Sequence, residues 1–403
     1  MRAFALRRVH VCRFRRFLLP GIPMLTIPTR SRLRDHAISI TVASIAASLL
    51  LLQSGCNSRD GAANVASATG AEAKNVTYFK YPDNPSFDLV YLADKLGYFD
   101  GTSTRPKYVG KVSAPQIIPL VGTGEIDFGT RMVPLVISAI ASGADIKVVS
   151  AGGETLPDAP HMKYFSRKDS GIREPKDFEG KTVAFNSFGA CAEFVTKKYL
   201  SQHGVDVSKV NWLVVPDNQS QQALVTKNVD VAIIHPPFSG SAEHDPQLHK
   251  LWSDWDEDHG LGGMAPYSVN GAFARAHPQA VRDFVAAIAK AGNWVNAHPD
   301  EARKLTAERL GIDVDVVERY AYVKDLVITT PPIQYYIDIL EQAGKIPKGK
   351  VKVEDVYTNE YNPYVQSPAH ANLNSNPPAD SSKSASALPV HKAGSRAFAE
   401  AAS

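Results

Sequence analysis

Cysteine is scarce in this chain: three in 403 residues, at Cys12, Cys56 and Cys191. A fold held together by a disulfide framework is therefore excluded. Long apolar runs are missing too. The strongest, residues 37–52, is about sixteen residues long and rich in Ser and Thr, short of a bilayer span. Nor does the body of the chain carry surplus basic charge. The formal net charge of +3 belongs to residues 1–55, which hold nine arginines against one acid, Asp35. The remainder has 35 basic and 40 acidic residues, a net of −5, so no nucleic-acid partner is expected. The twelve histidines are scattered. The nearest group, His235, His244 and His249, fits no zinc spacing, so neither a metal nor a cofactor is expected. No nucleophile–base pair is legible. Cys191 sits at a helix start, a place that suits a reactive thiol, but nothing specifies a base beside it. Burial as a small apolar residue is its plainer role. These absences argue against an enzyme.

What is present begins with export. Arginines crowd residues 1–34, the apolar run 37–52 follows, and the small residues Ser54 and Gly55 precede Cys56. These are the three parts of a secretory signal. An uncut anchor is the alternative. The junction resembles a bacterial lipoprotein cleavage site, with Gln53 where that pattern usually has Leu. The resemblance implies lipidation of Cys56, hence a membrane anchor and no intrachain disulfide. Residues 1–55 are read as signal peptide and 56–74, small and polar, as a flexible tether. Residues 366–403, rich in Ser, Ala, Pro and Asn, cannot bury enough apolar surface to offset their ordering entropy and read as a disordered tail.

About 290 residues lie between, enough for two lobes. Short apolar runs alternate with helical patterns, which argues a parallel sheet with helices on both faces. Strands are expected at 76–79, 107–111, 127–129, 146–150, 182–185, 210–215 and 229–234. Helices are expected at 87–93 with Ser86 as cap, and at 116–121, 135–141 and 220–225. The stretch 181–194, KTVAFNSFGACAEF, reads as strand, tight turn and helix start, a geometry that aims free N–H groups at an anion. Asn186 or Ser187 is the candidate cap, and Gly189 permits close approach of a ligand. An ordinary, empty turn is the other reading. Residues 272–274 look strand-like. His277-Pro278 opens a long helix to Trp294, with further helices at 300–310, 314–320 and 333–343. A helical block returning after the second lobe makes lobe one discontinuous: 75–170, then lobe two at 171–266, then 267–365. Two crossings make a hinge, and ligands sit in such a cleft.

Five segments carry a resemblance: ADKLGYF at 93–99, GEIDFG at 124–129, KDFEGKTVA at 176–184, VDVAI with PPF at 229–238, and HP at 277–278. In this order they resemble solute-binding proteins for sulfonates, taurine and nitrate, a sequence family that also holds synthases of the thiamine pyrimidine precursor. The resemblance implies an α/β type II periplasmic-binding-protein fold, with two lobes, a hinge and a central ligand cleft. It implies delivery of a small solute to ABC permease subunits by a monomer.

Loops after the strands should line that cleft. The candidates are Asn84, Ser86 and Phe87, then Gly129, Thr130 and Arg131, then Asn186, Ser187, Phe188 and Gly189, then His235 and Phe238, with Tyr267 near a crossing. Thr130 and Arg131 offer a hydroxyl and a forked cation suited to a sulfonate or carboxylate; a rim ion pair is the alternative for Arg131. Phe87, Phe188 and Phe238 either wall an apolar ligand part or pack in the core. His235 departs from the large residue usual in relatives and is either a ligand contact or structural. The leading expectation is an extracytoplasmic binding component for an aliphatic-sulfonate-like anion. The alternatives are a thiamine-pyrimidine-precursor binder, an enzyme of the same fold, and an envelope scaffold, which leaves the cleft loops unexplained.

Overall fold

The computed structural model describes residues 76–84 and 86–373. The expected signal segment, Cys56 and the tether lie outside them, as does the tail beyond 373. The expected tail is described from 366 to 373. There Pro368–Leu373 forms a 3-10 turn and His370 Nε2 meets Asp325 Oδ2 at 3.0 Å, so the fold runs further than composition indicates. Among the described residues no helix is long and apolar enough to cross a membrane.

The chain opens with β1 (Thr77–Tyr81), α1 (Leu89–Lys95), β2 (Thr104–Tyr108), α2 (Ile117–Thr123), β3 (Phe128–Thr130), α3 (Val133–Ala141) and β4 (Ile146–Gly153). It then crosses to β5 (Lys163–Arg167), β6 (Thr182–Phe185), α4 (Cys191–Gln202), β7 (Asn211–Val214), α5 (Asp217–Val225), β8 (Val231–Ile234), α6 (Phe238–His244), β9 (Leu248–Ser253) and α7 (Trp255–Asp258). It returns through β10 (Ala265–Asn270) to α8 (Gly271–Ala276), α9 (Pro278–Ala297), α10 (Pro299–Leu310), α11 (Thr330–Gln342) and α12 (Val353–Val356).

The first lobe holds two sheets: in one β1 and β2 run parallel, and in the other β10 lies between β3 and β4. Asp127 stitches β1 to β3: its N–H donates to the Lys80 carbonyl, and the Lys80 N–H donates to its carboxylate at 2.6 Å. In the second lobe the order is β7-β6-β8-β5-β9. The purely parallel sheets that the alternation predicts are not found. β10 is antiparallel to both its neighbours, and so is β5. Each is the first strand after a crossing, and it enters the sheet reversed. Both were hidden in the sequence because they bury polar residues: Ser166 and Ser268 are fully buried inside otherwise modest apolar patterns. Placing β5 in the sheet of the second lobe sets the first passage between Gly153 and Lys163, earlier than 170. The return falls between Ser253 and Ala265.

Local chemistry explains several other departures. The cap of α1 is Asp88, not Ser86; its carboxylate accepts from the Val90 N–H at 2.7 Å. Residues 272–274 belong to α8, capped by Asn270, whose side chain accepts from the Phe273 N–H. Only 314–316 of the expected 314–320 helix turns, as a 3-10 segment. The long helix from 278 is present as α9. It presses Phe284 against both sheets of the first lobe, where the ring stacks on Phe128 with centroids 3.8 Å apart and meets Phe79 and Tyr267 edge-on.

The second lobe buries a carboxyl. Asp254, at the foot of α7, accepts from Thr155 Oγ1 and from the Met162 N–H. Burial pushes it up to about 6 despite these bonds. A folded-state value raised above the unfolded one means that the native protein holds a proton the unfolded chain has released. The contribution of Asp254 to stability should therefore fall as pH rises from about 4 to about 6. Asp254→Asn, which has no proton to lose, is expected to remove this decline, so that its urea midpoint gains on the parent's as pH rises. An unchanged gap between the two midpoints across that window would refute the assignment.

Candidate functional site

The two lobes enclose a cavity of about 690 Å³. Its walls are the loops after β1, β2, β3, β6, β7 and β8, the first passage, the start of β10, and residues 319–322. The loop after β1 brings Asn84, Ser86 and Phe87 to the wall. Arg309 of α10 fixes this loop by donating to the carbonyls of Asn84 and Ser86, and its guanidinium lies 3.7 Å from the Tyr91 ring centroid. Asn84 also accepts from the Val112 N–H at 2.9 Å. The loop after β3 contributes Thr130 and Arg131, and β10 contributes Tyr267, whose hydroxyl accepts from the Leu89 N–H.

Arg131 is the informative cation of the wall. Its Nη2 reaches only Ser187 Oγ, at 3.4 Å, and its Nε is buried with no hydrogen-bond partner. Burial pulls its guanidinium down from the ordinary arginine value, while Cys191 and Asp217 act in the opposite direction. The rim ion pair that was its alternative role is not formed: no carboxylate lies within salt-bridge distance of it among the described residues. Arg319, on the same wall, is committed to Asp158.

Four of the expected residues do not line the cavity. Gly129 packs under α2, and Phe188 is 55% exposed, edge-on to Phe185. Gly189 adopts φ +79° and donates its N–H to Glu193 Oε2 at 2.7 Å, so that turn is occupied by the protein itself. Ser187 is buried behind Arg131 as its support. Neither Asn186 nor Ser187 caps α4. The cap position is Ala190, and no side chain serves it. Asn186 turns instead to Asp217 Oδ2 at 3.1 Å. The role of Gly129 is testable, since an added Cβ would stand 2.6 Å from Ile117 Cγ2 and 2.9 Å from Val121 Cγ2. Gly129→Ala should cost about 1–3 kcal/mol in urea unfolding while leaving solute affinity within a few-fold. A large loss of affinity with stability intact would restore Gly129 to the binding surface.

The loop after β8 brings His235 and Phe238 to the cavity. His235 is more engaged than a lone histidine. Its Nδ1 is 2.9 Å from Asp217 Oδ1, and Asp217 Oδ1 also accepts the His235 backbone N–H. Its Nε2 faces Cys191 Sγ at 3.7 Å, and His161 Nε2 approaches the same sulfur at 3.5 Å. Burial alone would hold the His235 imidazole down, but the charge and hydrogen bond of Asp217, with Cys191, push it up to about 10. His161 is pulled down to about 3 by burial and by His235. The two imidazoles beside Cys191 were not legible in the sequence. Of the aromatic wall, Phe87 was expected and its neighbours were not: it stacks on Tyr320 at 4.7 Å with Tyr322 beside it. The alternation Tyr320-Ala321-Tyr322 carried that signal, since period two puts both rings on one side of extended chain.

A family model described as NMT1/THI5 like matches residues 84–302, more than half of the chain. The chain belongs to the NMT1/THI5-like family. That span holds every cavity loop named above, although Tyr320 and Tyr322 fall beyond it. Among curated relatives of this NMT1/THI5-like chain is a 4-amino-5-hydroxymethyl-2-methylpyrimidine phosphate synthase of Legionella pneumophila. It is 22% identical over 228 residues, covering 56% of this chain and 70% of the relative. Among solved structures, the alkanesulfonate-binding protein SsuA of Xanthomonas axonopodis, bound to MOPS, aligns with TM-score 0.59 at 18% identity, over 72% of this chain and 99% of that one. The periplasmic nitrate-binding protein NrtA of Synechocystis aligns with TM-score 0.59 at 12% identity, over 72% and 88%. The two-lobe α/β fold of periplasmic binding proteins is thereby shown.

Proposed function

We propose that this NMT1/THI5-like chain is the extracytoplasmic solute-binding component of an ABC importer, and that it captures a small organic anion of the aliphatic-sulfonate type. The observation that carries the reading is Arg131, a cation on the cavity wall whose Nε is buried and unpartnered. An oxyanion would supply the missing acceptor, and a forked guanidinium suits one with several oxygens. The stacked Phe87 and Tyr320 give an apolar surface for the rest of the solute. A passage on each side of the second lobe allows the lobes to close over it. In this reading the protein works as a monomer, lipid-anchored through Cys56 or secreted, and hands its solute to permease subunits. A thermal-shift panel of alkanesulfonates, taurine, nitrate, aromatic acids and thiamine pyrimidines tests it. A ligand that binds the folded state must raise the melting temperature. A shift with sulfonates supports the proposal, and a shift with pyrimidines alone replaces the anion by a heterocycle.

A second reading, an enzyme of the same fold, has one specific observation in its favour. Cys191 lies between two imidazoles, one of them paired with Asp217, an arrangement that would serve an enzyme as nucleophile and proton carrier. The synthase among the relatives agrees with that reading. Consumption of a bound solute would decide for it.

A further inference from the structure

We propose that His161, Cys191 and His235 hold a divalent metal ion of the zinc class in the cavity wall, with one coordination position open to the cavity. The three side chains arrive from separate parts of the chain: His161 from the first passage, Cys191 from the first residue of α4, and His235 from the loop after β8. All three line the cavity, and their ligand atoms lie within 4.8 Å of one another. A tetrahedral ion with bonds of about 2.3 Å to sulfur and about 2.0–2.1 Å to nitrogen sets sulfur and nitrogen roughly 3.6 Å apart. Cys191 Sγ stands 3.5 Å from His161 Nε2 and 3.7 Å from His235 Nε2.

The surroundings suit the same role. Asp217 Oδ1 lies 2.9 Å from His235 Nδ1, and Asn186 donates to the other oxygen of that carboxylate. A carboxylate on the far nitrogen of a ligating histidine fixes its tautomer and turns the Nε2 lone pair toward the ion. One thiolate and two imidazoles select zinc and its first-row neighbours over magnesium or calcium. Three protein ligands beside an open cavity match a site with an exchangeable position rather than a closed structural one. Arg131 on the same wall opposes a cation, and the thiolate charge offsets it. The inference is independent of which solute the protein carries.

The test uses the full chain, stripped with a chelator and kept reduced with a phosphine, titrated first with Co²⁺ and then with Zn²⁺. The expected result is one equivalent of cobalt, a thiolate-to-cobalt charge-transfer band, visible absorption of a tetrahedral site, and displacement by zinc. Cys191→Ser should lose the charge-transfer band. His161→Ala, in the passage and so remote from the sheet cores, should weaken cobalt binding by roughly 10- to 100-fold. Circular dichroism checks the fold of both variants. No charge-transfer band in the parent protein overturns the proposal. So does a band that survives in Cys191→Ser, which would place the metal on Cys12 or Cys56. Rapid alkylation of Cys191 by iodoacetamide with no cobalt signal would assign the cluster to a metal-free thiolate–imidazolium pair, and also overturns it.

Discussion

Arg131→Ala is expected to weaken binding of the solute anion by 100-fold or more, about 3 kcal/mol. The size follows from the site. The guanidinium is set into the wall, its only described hydrogen bond is a long one to Ser187, and its Nε has no acceptor. A bound oxyanion would then make charge-assisted bonds that water does not offer on closing. The same substitution should leave the solute-free protein as stable as before, or slightly more so. It removes a partly desolvated charge with no carboxylate partner, and such a charge costs free energy in the folded state. This opposite sign separates the effect from general damage. Arg131→Lys should recover only part of the affinity, because a point charge replaces a planar fork. Calorimetric titration together with a melting curve reads both quantities. Unchanged affinity in Arg131→Ala would remove the anion from the proposal.

Phe284→Ala should produce the largest loss of stability of any single change proposed here, about 3–5 kcal/mol. Phe284 is fully buried on α9 and stacks on Phe128 of β3, while Phe79 of β1 and Tyr267 of β10 meet it edge-on. One ring therefore ties the long helix to three strands, and one of its contacts is a wall of the cavity. Truncation leaves a void that close-packed neighbours fill only in part. The unfolding midpoint in urea should drop sharply, whereas Phe284→Leu should cost much less, since most of the volume remains. A loss below about 1 kcal/mol for the alanine variant would mean that α9 does not anchor the sheets of the first lobe.

How far the residues foretold this can be seen in particular stretches. The strand at 182–185 was legible to the residue, because TVAF is an uninterrupted apolar run ahead of a polar turn. The loops that build the cavity were legible as the segments following such strands, and nine of the expected contacts line it. The antiparallel strands β5 and β10 were not legible. Their serines sit fully buried where an apolar pattern would be expected: Ser166 Oγ donates to the Ile172 carbonyl, and the Ser268 hydroxyl has no hydrogen-bond partner among the described residues. The turn 186–189 misled for a related reason. Its geometry is that of an anion site, but Glu193 fills it from one turn further along α4. The Cys191 cluster lies beyond any spacing rule, since His161 and His235 are 30 and 44 residues away and meet the sulfur only once the second lobe is assembled.

The most direct measurement is a calorimetric titration with the anion that gives the largest thermal shift, followed by proton NMR of the recovered solute. A cleft that captures and releases its ligand should saturate at one solute per chain, with micromolar or tighter affinity, and return the solute chemically unchanged. Conversion of the solute, or binding that does not saturate at one per chain, would contradict a transport role and turn attention to Cys191 and its two histidines.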